Sequence, residues 1–164
     1  MIPQTIRQFN AFIDGVGYAG RVTDSTTPKL TLKTEDYNAA GMGGTDVIPL
    51  DLDKMEVELT FLEHTPALLG VIGRANIPMT LRAAAKRDDE TAVPLVWTMR
   101  GIFTELDSGQ LKAAAKVELK LKGVLRYNKL THSGQLIHEI DIENGVRNIG
   151  GTDQMADIRA AIGM

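Results

Sequence analysis

The chain has 164 residues, 43% of them hydrophobic and 24% charged, which fits one soluble globular domain with a sizeable core. A net charge of -3 gives no overall basic field for gripping nucleic acid, and the absence of cysteine excludes disulfides and thiolate chemistry. No stretch approaches the ~18 uninterrupted apolar residues of a membrane span, so no membrane anchor is expected.

The opening "MIPQTIRQFNAFIDG" lacks a charged segment followed by an apolar one, so it does not read as a secretory signal and the cytoplasm is the expected site of synthesis and action. Asp14-Gly15 reads as a hairpin turn. "GVGYAG" at 15–20 matches the dinucleotide fingerprint, but β-branched residues and Pro28 follow where that fingerprint needs a helix. "GMGG" at 41–44 lacks the lysine and hydroxyl of a phosphate loop and precedes a strand. A long polar segment, residues 38–48, therefore needs another explanation.

From Lys54 to Phe61 every odd position is apolar and every even one polar. Such alternation marks a half-buried antiparallel strand. A short helix is predicted from Thr65-Pro66, with Leu68, Leu69 and Ile72 as its apolar stripe and Gly73 ending it. After the turn signal "KRDDET", Leu95, Trp97, Met99 and Phe103 alternate with Thr98, Arg100 and Thr104. Past "DSGQ", Val117, Leu119, Leu121, Leu125 and Tyr127 alternate with Lys116, Glu118, Lys120, Lys122 and Arg126. The runs 93–106 and 113–131 are long beside a typical strand of about 5–6 residues.

A two-residue turn at Ser133-Gly134 makes Tyr127 face Ile140 and Leu125 face Ile142. Nearer the tip the same register brings Leu130 to Ile137 on the other face, so either a bulge intervenes or the tip has its own partner. Ile140 and Ile142 alternate with Glu139, Asp141 and Glu143. A C-terminal helix over 153–162 buries Met155, Ile158 and Ile162 and stops at Gly163.

Motifs for chemistry are thin. His132 and His138 flank a turn without converging on a second ligand, and Asp51 and Asp53 lack the glycine and distal glutamate of a calcium loop. No G-x-S-x-G elbow is present. Lys116, Lys120, Lys122, Arg126 and Lys129 form a basic ladder, but Glu118 interrupts it and alternation puts Tyr127 on the opposite face, so no stacking platform for single strands is formed. No enzyme and no cofactor is indicated.

Five segments together resemble the major tail tube proteins of contractile-tailed bacteriophages and of R-type pyocins. They are the opening fifteen residues, "PKLTLKTEDYNAAGMGG", "MEVELT", "MRGIFTELDSGQLKAA" and the close "YNKLTHSGQLIHEIDIENGVRNIGGTDQMADIRAAIGM". Residues 62–95 carry none of it. The resemblance implies a single domain over 1–164, mainly β, with two roughly orthogonal antiparallel sheets forming a barrel-like sandwich, a short helix between strands and a short C-terminal helix. It implies a structural virion protein that stacks as homo-hexameric rings inside a tail sheath, with baseplate and tail terminator proteins at the ends and tape-measure protein or DNA in the lumen. Assembly takes place in the host cytoplasm.

Within that frame, Tyr37, Asn38, Gly41, Met42, Gly43 and Gly44 are the expected inter-ring loop, with glycine allowing positive φ and Met42 an adaptable apolar anchor. Glu56, Glu58, Lys116, Glu118, Lys120, Lys122, Glu139 and Asp141 are the expected lumen lining. Phe9, Phe12, Met155, Ile158 and Ile162 are expected at subunit contacts. Two other readings stand beside it: a type VI secretion tube of the same architecture, and a monomeric β-barrel binding a small ligand. Against the latter, Trp97, Phe61, Tyr127 and several leucines fill a small barrel.

Overall fold

The computed structural model describes residues 2–164. Twelve strands and two short helices follow in the order β1 (Thr5–Ile13), β2 (Val16–Gly17), β3 (Val22–Thr26), β4 (Leu32–Tyr37), β5 (Asp46–Leu52), β6 (Met55–Phe61), α1 (Pro66–Leu69), β7 (Ile77–Lys86), β8 (Val93–Asp107), β9 (Leu119–His132), β10 (Gln135–Asp141), β11 (Val146–Ile149), β12 (Thr152–Asp153) and α2 (Ala156–Ile162). Turn chemistry sets the tight connections. Asp14 and Gly15, with φ of 51° and 81°, close the β1–β2 hairpin, and Ser133 and Gly134, with φ of 49° and 80°, close β9–β10. Positive φ at both central residues is the type I′ geometry whose twist matches that of the strands it joins.

The β8–β9 ribbon organises everything else. β8 pairs with β9 throughout, while the other edge of β9 changes partner: residues 119–125 pair with β6 and residues 127–132 with β10. The change falls at a bulge where Arg100 faces Tyr127 and Gly101 faces Leu125, leaving Arg126 as the extra residue. A Cβ at Gly101 would lie 2.2 Å from the Val124 carbonyl oxygen, so only glycine lets the two backbones approach this closely. The two sheets expected from sequence are thus two limbs of one branched ten-stranded antiparallel sheet. One limb runs β1-β7-β8-β9-β10-β11-β12; the other is β3-β6-β9-β8. They fold over a single core of Met55, Val57, Leu59, Phe61, Met79, Met99, Phe103, Leu119 and Leu121, among others. This is the barrel-like sandwich, mainly β.

Bulges move residues between faces. Leu119, Leu121 and Leu125 point into the core, but past Arg126 the inward parity shifts by one and the fully buried residue is Asn128. Tyr127 therefore lies on the outer face, contrary to strict alternation, and does not fill the core. A second bulge, at Ile137, moves the β9–β10 register so that Ile140 faces Asn128 and Asp141 faces Tyr127, in place of the expected Tyr127–Ile140 pair. Ile142 lies beyond the strand and is exposed. The aromatic core residues are Tyr18, Phe61 and Phe103, with the Tyr18 and Phe61 rings edge-to-face at 5.0 Å. Trp97 is only partly buried at the margin of this cluster.

Both helices depart from expectation. α1 is a single turn that ends at Gly70, not Gly73; Leu68 and the following Val71 are buried, while Leu69 and Ile72 are exposed. α2 begins at Ala156, and Met155 occupies the N-cap. None of its residues is buried, so Ile158 and Ile162 face outward where the sequence pattern puts them inside. The helix is held instead by polar contacts: Arg159 bonds Asp153 at 2.6 Å and the Gly145 carbonyl at 2.9 Å.

Candidate functional site

The four-stranded limb presents an acidic outer face. Residues paired directly across antiparallel strands share a face. Asp24 pairs with Thr60, Thr60 with Lys120, Lys120 with Asp107, Glu58 with Lys122, Lys122 with Glu105, and Glu56 with Val124. Glu58, Glu105, Asp107, Lys120 and Lys122 line one shallow concavity; Asp24, Glu58, Glu118 and Lys120 line its neighbour. Six carboxylates thus surround two lysines. Lys122 Nζ lies 3.8 Å from Glu56 Oε2, and Lys54 reaches the same carboxylate at 3.2 Å.

Of the residues expected in one lining, the structure brings Glu56, Glu58, Glu118, Lys120 and Lys122 together. Glu139 and Asp141 belong to β10 on the other limb. Glu139 accepts the Tyr127 hydroxyl hydrogen bond at 2.9 Å, and Asp141 accepts from the Asn144 amide side chain at 2.7 Å. Lys116 is not on a strand. β8 ends opposite Lys120, so residues 108–118 have no strand partner; they form an exposed loop with Gly109 and Ala114 at positive φ and the Glu118 carbonyl 3.3 Å from His64 Nε2. Sequence reasoning passed over Asp24, Glu105 and Asp107. The alternation around Phe103 carried the signal for Glu105, but the bulge at Thr104 shifts its parity.

This limb also has two edges without a full strand partner. β3 pairs only with β6, and β8 beyond Gly101 has β9 as its one strand partner, because β7 stops at the Ile77–Gly101 pair; on that edge the Gly73 N–H donates to the Phe103 carbonyl at 3.0 Å. Unpaired edges are templates for another chain.

Residues 38–48 prove to be the tip and part of one strand of a separate hairpin. β4 and β5 pair with each other alone, and nearly every residue from Leu32 to Asp51 is exposed, including Tyr37, Val47, Ile48 and Leu50. Gly41 alone among the three tip glycines has positive φ, and none has a neighbour that a Cβ would touch. Met42 Sδ accepts the Ala39 N–H at 3.2 Å, so at the tip Met42 and Asn38–Ala40 fold together. The base is tied down by Lys33–Asp53 at 3.7 Å and by Arg147 donating to the Leu50 carbonyl at 3.2 Å. Phe9 and Phe12 on β1 are half-buried, while Ile2 and Ile6 of the same arm are exposed.

Catalytic geometry does not emerge. Among the described residues no three His, Asp or Glu side chains converge in a metal-binding group. His132 is exposed, and His138 is half-buried on β10, where desolvation pushes its pKa below the ordinary histidine value. No helix among the described residues is long and apolar enough to cross a membrane.

The profile of the family described as "Phage tail tube protein FII" matches residues 3–163. The chain belongs to the phage tail tube family. A tail tube protein of Escherichia phage P2 is 32% identical over 99% of both chains, and a major tail tube protein of Serratia phage KSP20 is 29% identical over 99% of this chain and 98% of its own. This tail tube protein is therefore a structural component of the phage tail and not an enzyme. Its fold recurs at low identity in solved structures. The sheath/tube terminator of an extracellular contractile injection system superposes with a TM-score of 0.61 at 12% identity, covering 80% of this chain and 98% of that one. The tube-terminating cap of the anti-feeding prophage superposes with a TM-score of 0.58 at 13% identity, covering 80% and 91%.

Proposed function

We propose that six copies of this tail tube protein close into a ring through their four-stranded limbs, and that rings stack into a hollow tube whose bore is the acidic face. The observation that carries this reading is the pair of edges without a strand partner that flank that face. The strands β3, β6, β9 and β8 alternate in direction, so an even count leaves edges of opposite direction. β8 of one copy then meets β3 of the next in antiparallel fashion, and closure removes both edges.

Six such limbs give 24 strands. At about 4.8 Å spacing and roughly 40° tilt, the backbone wall is about 48 Å across. Subtracting side chains leaves on the order of 40 Å, which accommodates duplex DNA about 20 Å wide. The lining of Glu56, Glu58, Glu105, Asp107, Lys120 and Lys122 repels phosphates more than it holds them, as a conduit requires. The surfaces away from the bore face a contractile sheath, with terminator and baseplate proteins at the ends and tape-measure protein or DNA inside.

Negative-stain electron microscopy of the concentrated protein tests this. Rings or hollow rods with a central hole are expected. Uniform small particles at every concentration, with no rods, would overturn self-assembly as stated.

A further inference from the structure

The four-stranded limb carries protrusions at its two opposite ends. The β4–β5 hairpin leaves from the end where Met55 pairs with Leu125, between β3 and β6. The 108–118 loop leaves from the other end, where Phe61 pairs with Leu119 and Asp107 with Lys120. Six residue steps of β9 separate these ends, or about 20 Å. The hairpin is itself an arm about 20 Å long at the strand rise.

Their chemistry is complementary. The hairpin carries Glu35, Asp36, Asp46 and Asp51 against the single Lys33, with exposed Val47 directly across from Asp36. The loop offers Lys112 and Lys116 against the single Glu118, with Leu111 88% exposed. The hairpin is net acidic and apolar, and the loop is net basic and apolar. A surface that differs from its complement on the same molecule makes a heterologous, head-to-tail contact that extends without closing.

Building on the stacked-tube reading, we infer that the acceptor for the hairpin arm is the 108–118 loop of a second copy of this chain in the next ring. Val47 packs against Leu111, and Asp36, directly across from Val47 and so on the same face of the hairpin, pairs with Lys112 and Lys116. The apolar contact supplies adhesion. The charges fix polarity, since turning one ring over brings acid to acid.

The chain has no cysteine, so engineered thiols report on this contact without background. Val47→Cys and Leu111→Cys are both at exposed positions and leave the core untouched. In oxidised tubes of the double variant each copy is bonded to one above and one below, and non-reducing electrophoresis should give a ladder extending past tetramer. Either single variant should give no band above dimer. As a second measurement, Lys112→Glu with Lys116→Glu should shorten tubes at least threefold, and adding Asp36→Lys should recover at least half of the lost length. Tubes that form normally but give no ladder, or that ignore the charge reversal, would overturn this pairing and assign the arm to another partner such as the sheath. Absence of tubes from the unmodified protein would instead overturn the reading on which the inference rests.

Discussion

Asp153 and Arg159 hold the C-terminal helix in place from six residues apart. The carboxylate receives the guanidinium at 2.6 Å and also accepts the backbone N–H groups of Met155 and Arg147. The Arg159 hydrogen bond first, then those backbone donors, hold the Asp153 pKa down at about 2, below its ordinary 3.8. A depressed carboxylate pKa stabilises the fold above its unfolded value, and that contribution is lost as pH falls through the folded one. Detachment of α2 is thus expected between about pH 4 and pH 2. Asp153→Asn should accelerate hydrogen exchange of the 156–162 amides at least tenfold at neutral pH, with the β8–β9 amides unchanged. Unchanged exchange in α2 would show that the helix is held by something other than this pair.

Tyr127 offers a second titration. Burial, then the hydrogen bond to Glu139 and that residue's charge, push the phenol up to about 12. A folded pKa above the unfolded value gives stability that is intact below pH 10 and lost as pH rises toward 12. Carbon NMR of the Tyr127 ring should show ionisation near pH 12, moving down in Glu139→Gln. A Tyr127 resonance that titrates near pH 10 in the unmodified protein would contradict this placement.

Gly101→Ala tests the bend of the β8–β9 ribbon. The added methyl meets the Val124 carbonyl oxygen at 2.2 Å and the Leu125 Cα at 2.9 Å, both backbone atoms that cannot rotate away. Overpacking of this kind costs about 1–3 kcal/mol or more. Urea denaturation should place the variant at or beyond the upper part of that range. A loss under about 0.5 kcal/mol, typical of surface positions, would mean that the ribbon is free to open there.

Ring closure predicts a change in protection at two separated segments. Amides of Val22–Thr26 and Ile102–Asp107 that face the free edges should exchange rapidly in the isolated subunit and slow by at least a hundredfold in tubes. Protection confined to other strands would move the ring interface elsewhere.

The regular strands were legible because their signals are local. The alternation from Lys54 to Phe61 marks β6, and Asp14-Gly15 and Ser133-Gly134 adopt the positive φ that their turns require. Five segments spread over most of the chain resemble tail tube proteins, and the match over residues 3–163 agrees. Faces were less legible. Tyr127 follows the parity of Leu125 on paper, but the bulge at Arg126 turns it outward, and such a bulge exists only because β9 exchanges β6 for β10 there.

The lumen candidates divided for the same reason. Glu58 and Glu139 have the same local pattern, and only the branching of the sheet puts them on different limbs. Ile158 and Ile162 show helical spacing, which states that a helix has an apolar side but not that this chain supplies a surface to cover it.

By itself, then, the sequence determined strand periodicity, turn type, the absence of catalytic motifs and the family. Each depends on residues close in the chain or on a pattern read without partners. Tertiary structure alone decided where the bulges fall, which carboxylates share a face, that residues 32–52 stand away from the body as an arm, and that α2 is anchored by Arg159 with its isoleucines outside. Those outcomes depend on which strand lies alongside another, and residues such as Asp107 and Lys120, or Leu50 and Arg147, meet only after the chain has folded.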